Sequence, residues 1–190
     1  MLLWLSWKAY GTRGPLPIDR SITQYFAEIQ SPIGEKLFGT IARLSSSVVM
    51  TIIAIALSVL FISTGRWRGL LALGIAIAGT QVTIHVGKWL IERPRPGPVP
   101  DLFSSSSYPS AHAASTMVIW GMLGFVAASN LSGVSRFGSS CAIGLVIVSI
   151  ATSLVARNVH YPSDVAAGLM IGALWLIMGV AVLQRPNWLF

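Results

Sequence analysis

The chain has 190 residues, of which 54% are hydrophobic and only 10% charged; with a mean hydropathy of +0.71, it carries more apolar surface than one small soluble core can bury. A formal charge of +7 would suit nucleic acid if Lys and Arg gathered on one water-facing surface, but here they are scattered among short loops, which argues against that partner and for anionic lipid headgroups. The single cysteine, Cys141, excludes an intrachain disulfide and, inside an apolar stretch, reads as a packed small hydrophobe.

No secretory signal peptide is evident at the start, because the apolar opening Met1–Trp7 is too short for an h-region and lacks a small-residue cleavage site. Over residues 15–45, Ile18, Ile22, Tyr25, Phe26 and Ile29 recur at helical spacing among Asp19, Arg20, Gln24 and Glu28, which predicts an amphipathic helix at the membrane interface. Pro32 ends it, and Ile33, Leu37, Ile41 and Leu44 begin a second helical pattern.

Five apolar stretches follow, each long enough at ~1.5 Å per residue to cross ~30 Å of hydrocarbon: Ser46–Ser63, Gly69–Ile91, Ser110–Ser129, Phe137–Ala156 and Ser163–Leu183. The connection Glu92–Pro109 holds five of the ten prolines and predicts a rigid, partly extended loop; Ser104–Ser107 is the only low-complexity run. The tryptophans, Trp4, Trp7, Trp67, Trp89, Trp120, Trp175 and Trp188, fall mostly near span ends, as an interfacial belt requires. The expected fold is all-α: a polytopic membrane helix bundle with five transmembrane helices plus N-terminal amphipathic helices. It forms a single membrane domain over 1–190, with 1–45 an interfacial region and 46–183 a transmembrane catalytic core.

Five spans put the amino terminus, the Pro-rich loop and the segment RNVHYPSD (157–164) on one face, and Arg66, Arg68, Arg136 and Arg185 on the other. The second face has no acidic residue in its short loops and is the cytoplasmic one by the positive-inside rule, although Lys8, Arg13, Arg20, Lys36 and Arg43 on the motif face count against it.

On the motif face, Lys88–Pro96, Pro109–His112 and Arg157–Asp164 converge at the ends of separate spans. Cations at a bilayer edge are costly unless they meet water or an anion, and a phosphate satisfies them together. Ser110 is a good N-cap, which aims the amides of Ala111 and His112 at an anion, and it is itself expected to meet the phosphate headgroup. Arg95 suits bidentate contact with phosphate oxygens, and Lys88 supplies a point charge. With Pro162 in the first turn of the last span, His160 lies just before the helix and Asp164 within that turn. Asp164 is then placed to orient the His160 imidazole as a nucleophile, while His112 donates a proton to the departing oxygen.

In order and spacing, Lys-x6-Arg-Pro (Lys88, Arg95, Pro96), Pro-Ser-Ala-His (109–112) and His-x3-Asp (His160, Asp164) resemble the three signatures of the type-2 phosphatidic acid phosphatase superfamily. The resemblance runs from about Ser46 to Leu183. It implies an α-helical membrane phosphatase that works without metal or cofactor, through a phosphohistidine on His160 with His112 as general acid.

Two motif positions depart from that pattern. Ala111 replaces the more usual glycine, a change small enough to leave the amides usable. The third signature usually places an arginine six residues before its histidine, where this chain has Leu154 after Ser153. Arg157 is the expected substitute for phosphate binding, about 60° further round the helix axis and about 4.5 Å nearer water; its alternative is an arginine snorkelling at a span end. Asn158 beside it suits the left-handed turn that ends a helix. The family core commonly has six spans, and Met1–Trp7 is all that would remain of the first here; either it packs at the interface or the gene starts upstream. His85 lies on the helical side of Lys88 but outside every signature, with a place in the pocket as its alternative, and Arg93 is expected to be a surface charge, with substrate binding as its alternative.

The substrate expected first is undecaprenyl pyrophosphate, with phosphatidic acid and phosphatidylglycerol phosphate open, in an integral protein of a bacterial inner membrane with its active site on the outer face. The main alternative is a non-catalytic lipid-phosphate binding or transport protein, motivated by Leu154.

Overall fold

The structure is a computed structural model that describes residues 14–97 and 106–184, together with residues 1, 6 and 11. Of the features above, most of Met1–Trp7, Lys8, Arg13, Ser104, Arg185 and Trp188 lie outside the described residues. Seven α-helices succeed one another among the rest: α1 (Pro17–Glu28), α2 (Pro32–Ala42), α3 (Ser47–Ser63), α4 (Trp67–Ile91), α5 (Ala111–Ser129), α6 (Gly133–Ala156) and α7 (Pro162–Gln184).

Local chemistry sets these boundaries. Pro17, Pro32 and Pro162 open their helices, where a missing N–H costs nothing. The hydroxyls of Ser31, Ser46 and Ser110 cap α2, α3 and α5 by accepting from the amides of Gly34, Val49 and Ala113. Glu92 and Asn158 take the left-handed conformation, with φ of 46° and 55°, which stops α4 and α6 where the motif-bearing loops begin.

Five stretches are long and apolar enough to cross a membrane: Pro32–Ser63, Trp67–Ile91, Ala111–Ser129, Gly133–Ala156 and Pro162–Leu183. The first is longer than expected because α2 runs into α3 through a 3-10 turn at Arg43–Ser45. Outward-facing Val48, Ile52, Val82, Val86, Leu145, Val148, Leu174 and Ile177 are exposed, an apolar surface that lipid would cover.

Helices α4, α5 and α7 form the centre of the bundle. Gly168 and Gly172, one turn apart on α7, face the Ser110 and Ala114 carbonyls so closely that a Cβ at either would collide with them. This small-xxx-small stripe lets α7 approach the backbone of α5 and fixes the start of one helix against the start of the other.

Three expectations are corrected here. Cys141 is exposed, because its side of α6 turns away from the bundle. Trp175 is not at a span end; its indole N–H donates to the Thr83 hydroxyl at 2.9 Å between α7 and α4. Helix α1 is more than an interfacial amphipath. Ile22 and Phe26 pack against Leu154, Val155 and Val165, and Asp19, expected on its polar face, is fully buried.

Candidate active site

The three signature segments meet at one end of the bundle. The His112 and His160 rings lie 6.4 Å apart between centroids, at 55°. His112 occupies the first turn of α5, whose earliest amides, those of Ala111 and His112, have no intrahelical acceptor. Ser110 is buried; its hydroxyl accepts from Ala113 N–H at 3.3 Å and its own N–H donates to the Asp164 carbonyl at 3.1 Å. The α5 cap is thus tied to the first turn of α7.

His160 is 1% exposed. Its Nδ1–H donates to the Ser107 carbonyl at 3.0 Å, a partner that cannot donate in return, so Nε2 carries the lone pair of the neutral ring. Nε2 lies 3.2 Å from Arg95 Nη1, which also donates to the Val159 carbonyl at 3.2 Å. Burial pushes the His160 imidazole below its ordinary value, against the opposing pull of the Asp164 carboxylate. Burial likewise lowers Arg95, again opposed by Asp164. Lys88, from the last turn of α4, donates to the Ser106 carbonyl.

The role expected of Asp164 needs correction. Its Oδ2 is 3.7 Å from His160 Nδ1, beyond hydrogen-bonding range, and accepts instead from Tyr161 N–H at 3.0 Å. Its Oδ1 is held by Arg93 at 2.6 Å. The ring is oriented by a backbone carbonyl of the Pro-rich loop, with Asp164 as a nearby negative charge.

Arg93 is the residue that sequence reasoning misjudged most. It is 1% exposed and makes ion pairs to Asp164 and, at 2.7 Å, to Asp19. It also donates to the Ser163 hydroxyl at 2.7 Å and the Gly14 carbonyl at 2.8 Å, and lies 4.5 Å from the centre of the Tyr161 ring. A guanidinium two residues before Arg95, in a loop too proline-rich for helix, was the available signal.

Two other candidates stand apart. Arg157 is exposed and borders a groove of about 120 Å³ with Phe26, Glu35 and Phe38 on the outer side of α6. The phase of α6 explains this: Leu154 is the position that turns inward, 3% exposed against Ala113 and Val165, and Arg157 points toward α1 and α2. The expected substitution of Arg157 for the missing arginine is not made. His85 is exposed, its Nδ1 paired with the Gln81 carbonyl at 2.7 Å within its own helix. Among the described residues no three His, Cys, Asp or Glu side chains cluster as metal ligands.

From His112 a cavity of about 330 Å³ runs into the bundle between α3, α4 and α5. Met50, Ile77, Val118 and Ile119 line it, with Thr51, Gln81 and Ser115 among them; Gln81 donates to the Ser115 hydroxyl at 3.2 Å.

A polytopic helical bundle that brings two imidazoles, a lysine, an arginine and the first amides of α5 to one end, beside a largely apolar cavity at His112, suits the class of membrane phosphatases acting on lipid phosphates. The chain belongs to the PAP2 superfamily: the model of that family matches residues 69–188. It is 29% identical over 161 residues to phosphatidylglycerophosphatase B of Bacillus subtilis strain 168, covering 82% of this chain and 78% of the relative. In fold it is similar to the crystal structure of the transmembrane PAP2-type phosphatidylglycerolphosphate phosphatase from Bacillus subtilis, with TM-score 0.81, 23% identity and coverage of 98% and 94% of the two chains. Aquifex aeolicus LpxE shares the fold at TM-score 0.68 and 20% identity, with coverage of 87% and 96%.

Proposed function

We propose that this membrane phosphatase hydrolyses a lipid phosphate through a phosphohistidine on His160. The observation that carries this reading is the His112–His160 pair, 6.4 Å between ring centroids, with His160 Nδ1 committed to the Ser107 carbonyl. That spacing admits a phosphoryl group between the rings. His160 Nε2 attacks phosphorus as the bond to the lipid oxygen breaks, and His112 gives that oxygen its proton. Water then attacks the phosphohistidine, passing a proton back to His112, and inorganic phosphate leaves. Lys88, Arg95 and the amides of Ala111 and His112 hold the anionic oxygens. Ser110 and Asp164 act one step back, the first by capping α5 and the second by its charge. Arg95 releases Nε2 when an anion takes its guanidinium.

The substrate favoured is phosphatidylglycerol phosphate. The similarity to phosphatidylglycerophosphatase B of Bacillus subtilis supports it. Thr51, Gln81 and Ser115 in the cavity beside His112 offer hydrogen bonds to the glycerol and ester oxygens that follow the scissile bond. Undecaprenyl pyrophosphate, whose second phosphate accepts the same hydrogen bonds, ranks second on the relative's activity alone, and phosphatidic acid shares the favoured chemistry. Arg66, just before α4, and Arg68 and Arg136, in the first turns of α4 and α6, sit at the end of the bundle opposite the signature residues, which supports a bacterial inner-membrane protein with the site facing outward.

Phosphate release by purified protein from these three lipids tests the reading. Release from phosphatidylglycerol phosphate, lost in His160→Ala, is expected. Tight binding without release would favour a non-catalytic lipid-phosphate binder.

A further inference from the structure

The reaction above uses α4, α5, α7 and the loops between them. It gives no reason for α1, outside every signature, to send a carboxylate behind the site. Asp19 is 0% exposed. Its Oδ1 accepts from Ser163 N–H at 2.9 Å, across 144 residues of sequence. Its Oδ2 accepts from the Ser163 hydroxyl at 2.8 Å, Leu16 N–H at 2.9 Å and Arg93 Nη2 at 2.7 Å. The other prong of the same guanidinium holds Asp164 at 2.6 Å.

Docking α1 does not require this. Ile22 and Phe26 already pack the helix on the bundle, and a buried ion pair generally anchors no better than apolar residues of the same volume. What Asp19 does beyond anchoring is specific. It satisfies a free N–H in the first turn of α7, where a negative charge also complements the helix dipole. It also fixes the plane of Arg93, and through Arg93 the carboxylate of Asp164.

We propose that Asp19 is a positioning residue for the hydrolysis: from α1 it caps α7 and holds Arg93, so that Asp164 and the preceding His160 keep the geometry of attack. The proposal rests on His160 being the nucleophile. The groups facing His160 are Asp164 from α7, His112 from α5, Lys88 from α4 and Arg95 from the loop. Loss of the Asp19 charge leaves Arg93 to neutralise Asp164 alone. The surroundings of His160 become more positive, and its protonation moves to lower pH.

The test compares Asp19→Asn, Asp19→Glu, Ser163→Ala and His160→Ala with the unaltered protein, hydrolysing phosphatidylglycerol phosphate in mixed micelles, with thermal unfolding as the check on folding. Asp19→Asn is expected to lose about 10–100-fold in kcat, as a small misplacement of a reacting group does. Its KM stays within about twofold, and the acid limb of kcat/KM shifts to lower pH; Asp19→Glu recovers most of the rate. Should Asp19→Asn not fold, Ser163→Ala, which removes one partner of Asp19, decides: about a 3–10-fold loss of kcat is expected for one such hydrogen bond. Unchanged kcat and an unmoved acid limb in the folded variants, beside an inactive His160→Ala, would overturn the positioning role alone. Equal rates in His160→Ala and the unaltered protein would overturn the nucleophile and this role together.

Discussion

The Nδ1 of His160 donates to the carbonyl of Ser107 at 3.0 Å, 53 residues away in sequence, while the Asp164 carboxylate stands off at 3.7 Å. The tautomer of the proposed nucleophile is therefore set by main chain, and Asp164 contributes charge and the placing of the loop through Arg93. Asp164→Asn should accordingly keep measurable activity. A loss of about 100-fold in kcat is expected, the scale of a small misplacement, against complete inactivity in His160→Ala. Steady-state assays of the two variants side by side check this; equal inactivity would contradict it.

Burial holds the His160 imidazole below its ordinary value of 6.5, with Asp164 pulling the other way. As pH falls, protonation removes the Nε2 lone pair, so kcat/KM should fall on the acid side with a midpoint below 6.5. The same depression stabilises the folded protein fully above the ordinary imidazole range, and that contribution is lost as pH drops from there through the depressed value. Asp164→Asn removes the raising influence and should move the acid limb lower still. A pH–rate profile measures both, and a midpoint above 6.5 in the unaltered protein would be the wrong sign.

Arg93 neutralises two carboxylates, and the side chains of all three residues are 0% exposed. Arg93→Leu strands Asp19 and Asp164, and should cost about 3–5 kcal/mol of stability. Arg93→Lys should restore only part, since an ammonium cannot bridge the two with a planar fork. Thermal unfolding in detergent reads the effect. A surface arginine in this loop would show none.

Arg157 faces the groove of α1 and α2 instead of the pocket. Arg157→Ala should leave KM within about twofold, whereas Arg95→Ala should raise KM and lower kcat together, as loss of a contact made in both ground and transition states does. Kinetics on phosphatidylglycerol phosphate separate the two arginines.

Gly168 meets the Ser110 carbonyl, where no Cβ fits. Gly168→Ala should push α7 from α5 at a cost of about 1–3 kcal/mol and lower activity, since Ser110 and Asp164 are bonded across this contact. Gly138, with open space around it, provides the control: Gly138→Ala should leave activity unchanged.

The spans and the three signatures were legible because each rests on local sequence: uninterrupted apolar length, a serine cap before Ala111, a proline opening α7, an asparagine ending α6. What escaped is what depends on partners distant in sequence or on the phase of a helix. Arg93 looked like a surface charge because Asp19 lies 74 residues away from it. Ser107 acts through its carbonyl, which every residue possesses and no side chain advertises. Arg157 and Leu154 differ by about 60° of helix rotation, and hydropathy cannot say which faces inward when α6 is apolar on every side.

Rapid quenching of the protein with phosphatidylglycerol phosphate labelled in its terminal phosphate tests the central claim most directly. The account predicts a labelled protein intermediate, stable to alkali and labile to acid, mapped to His160 and absent from His160→Ala. Continued phosphate release by His160→Ala at the unaltered rate would contradict it.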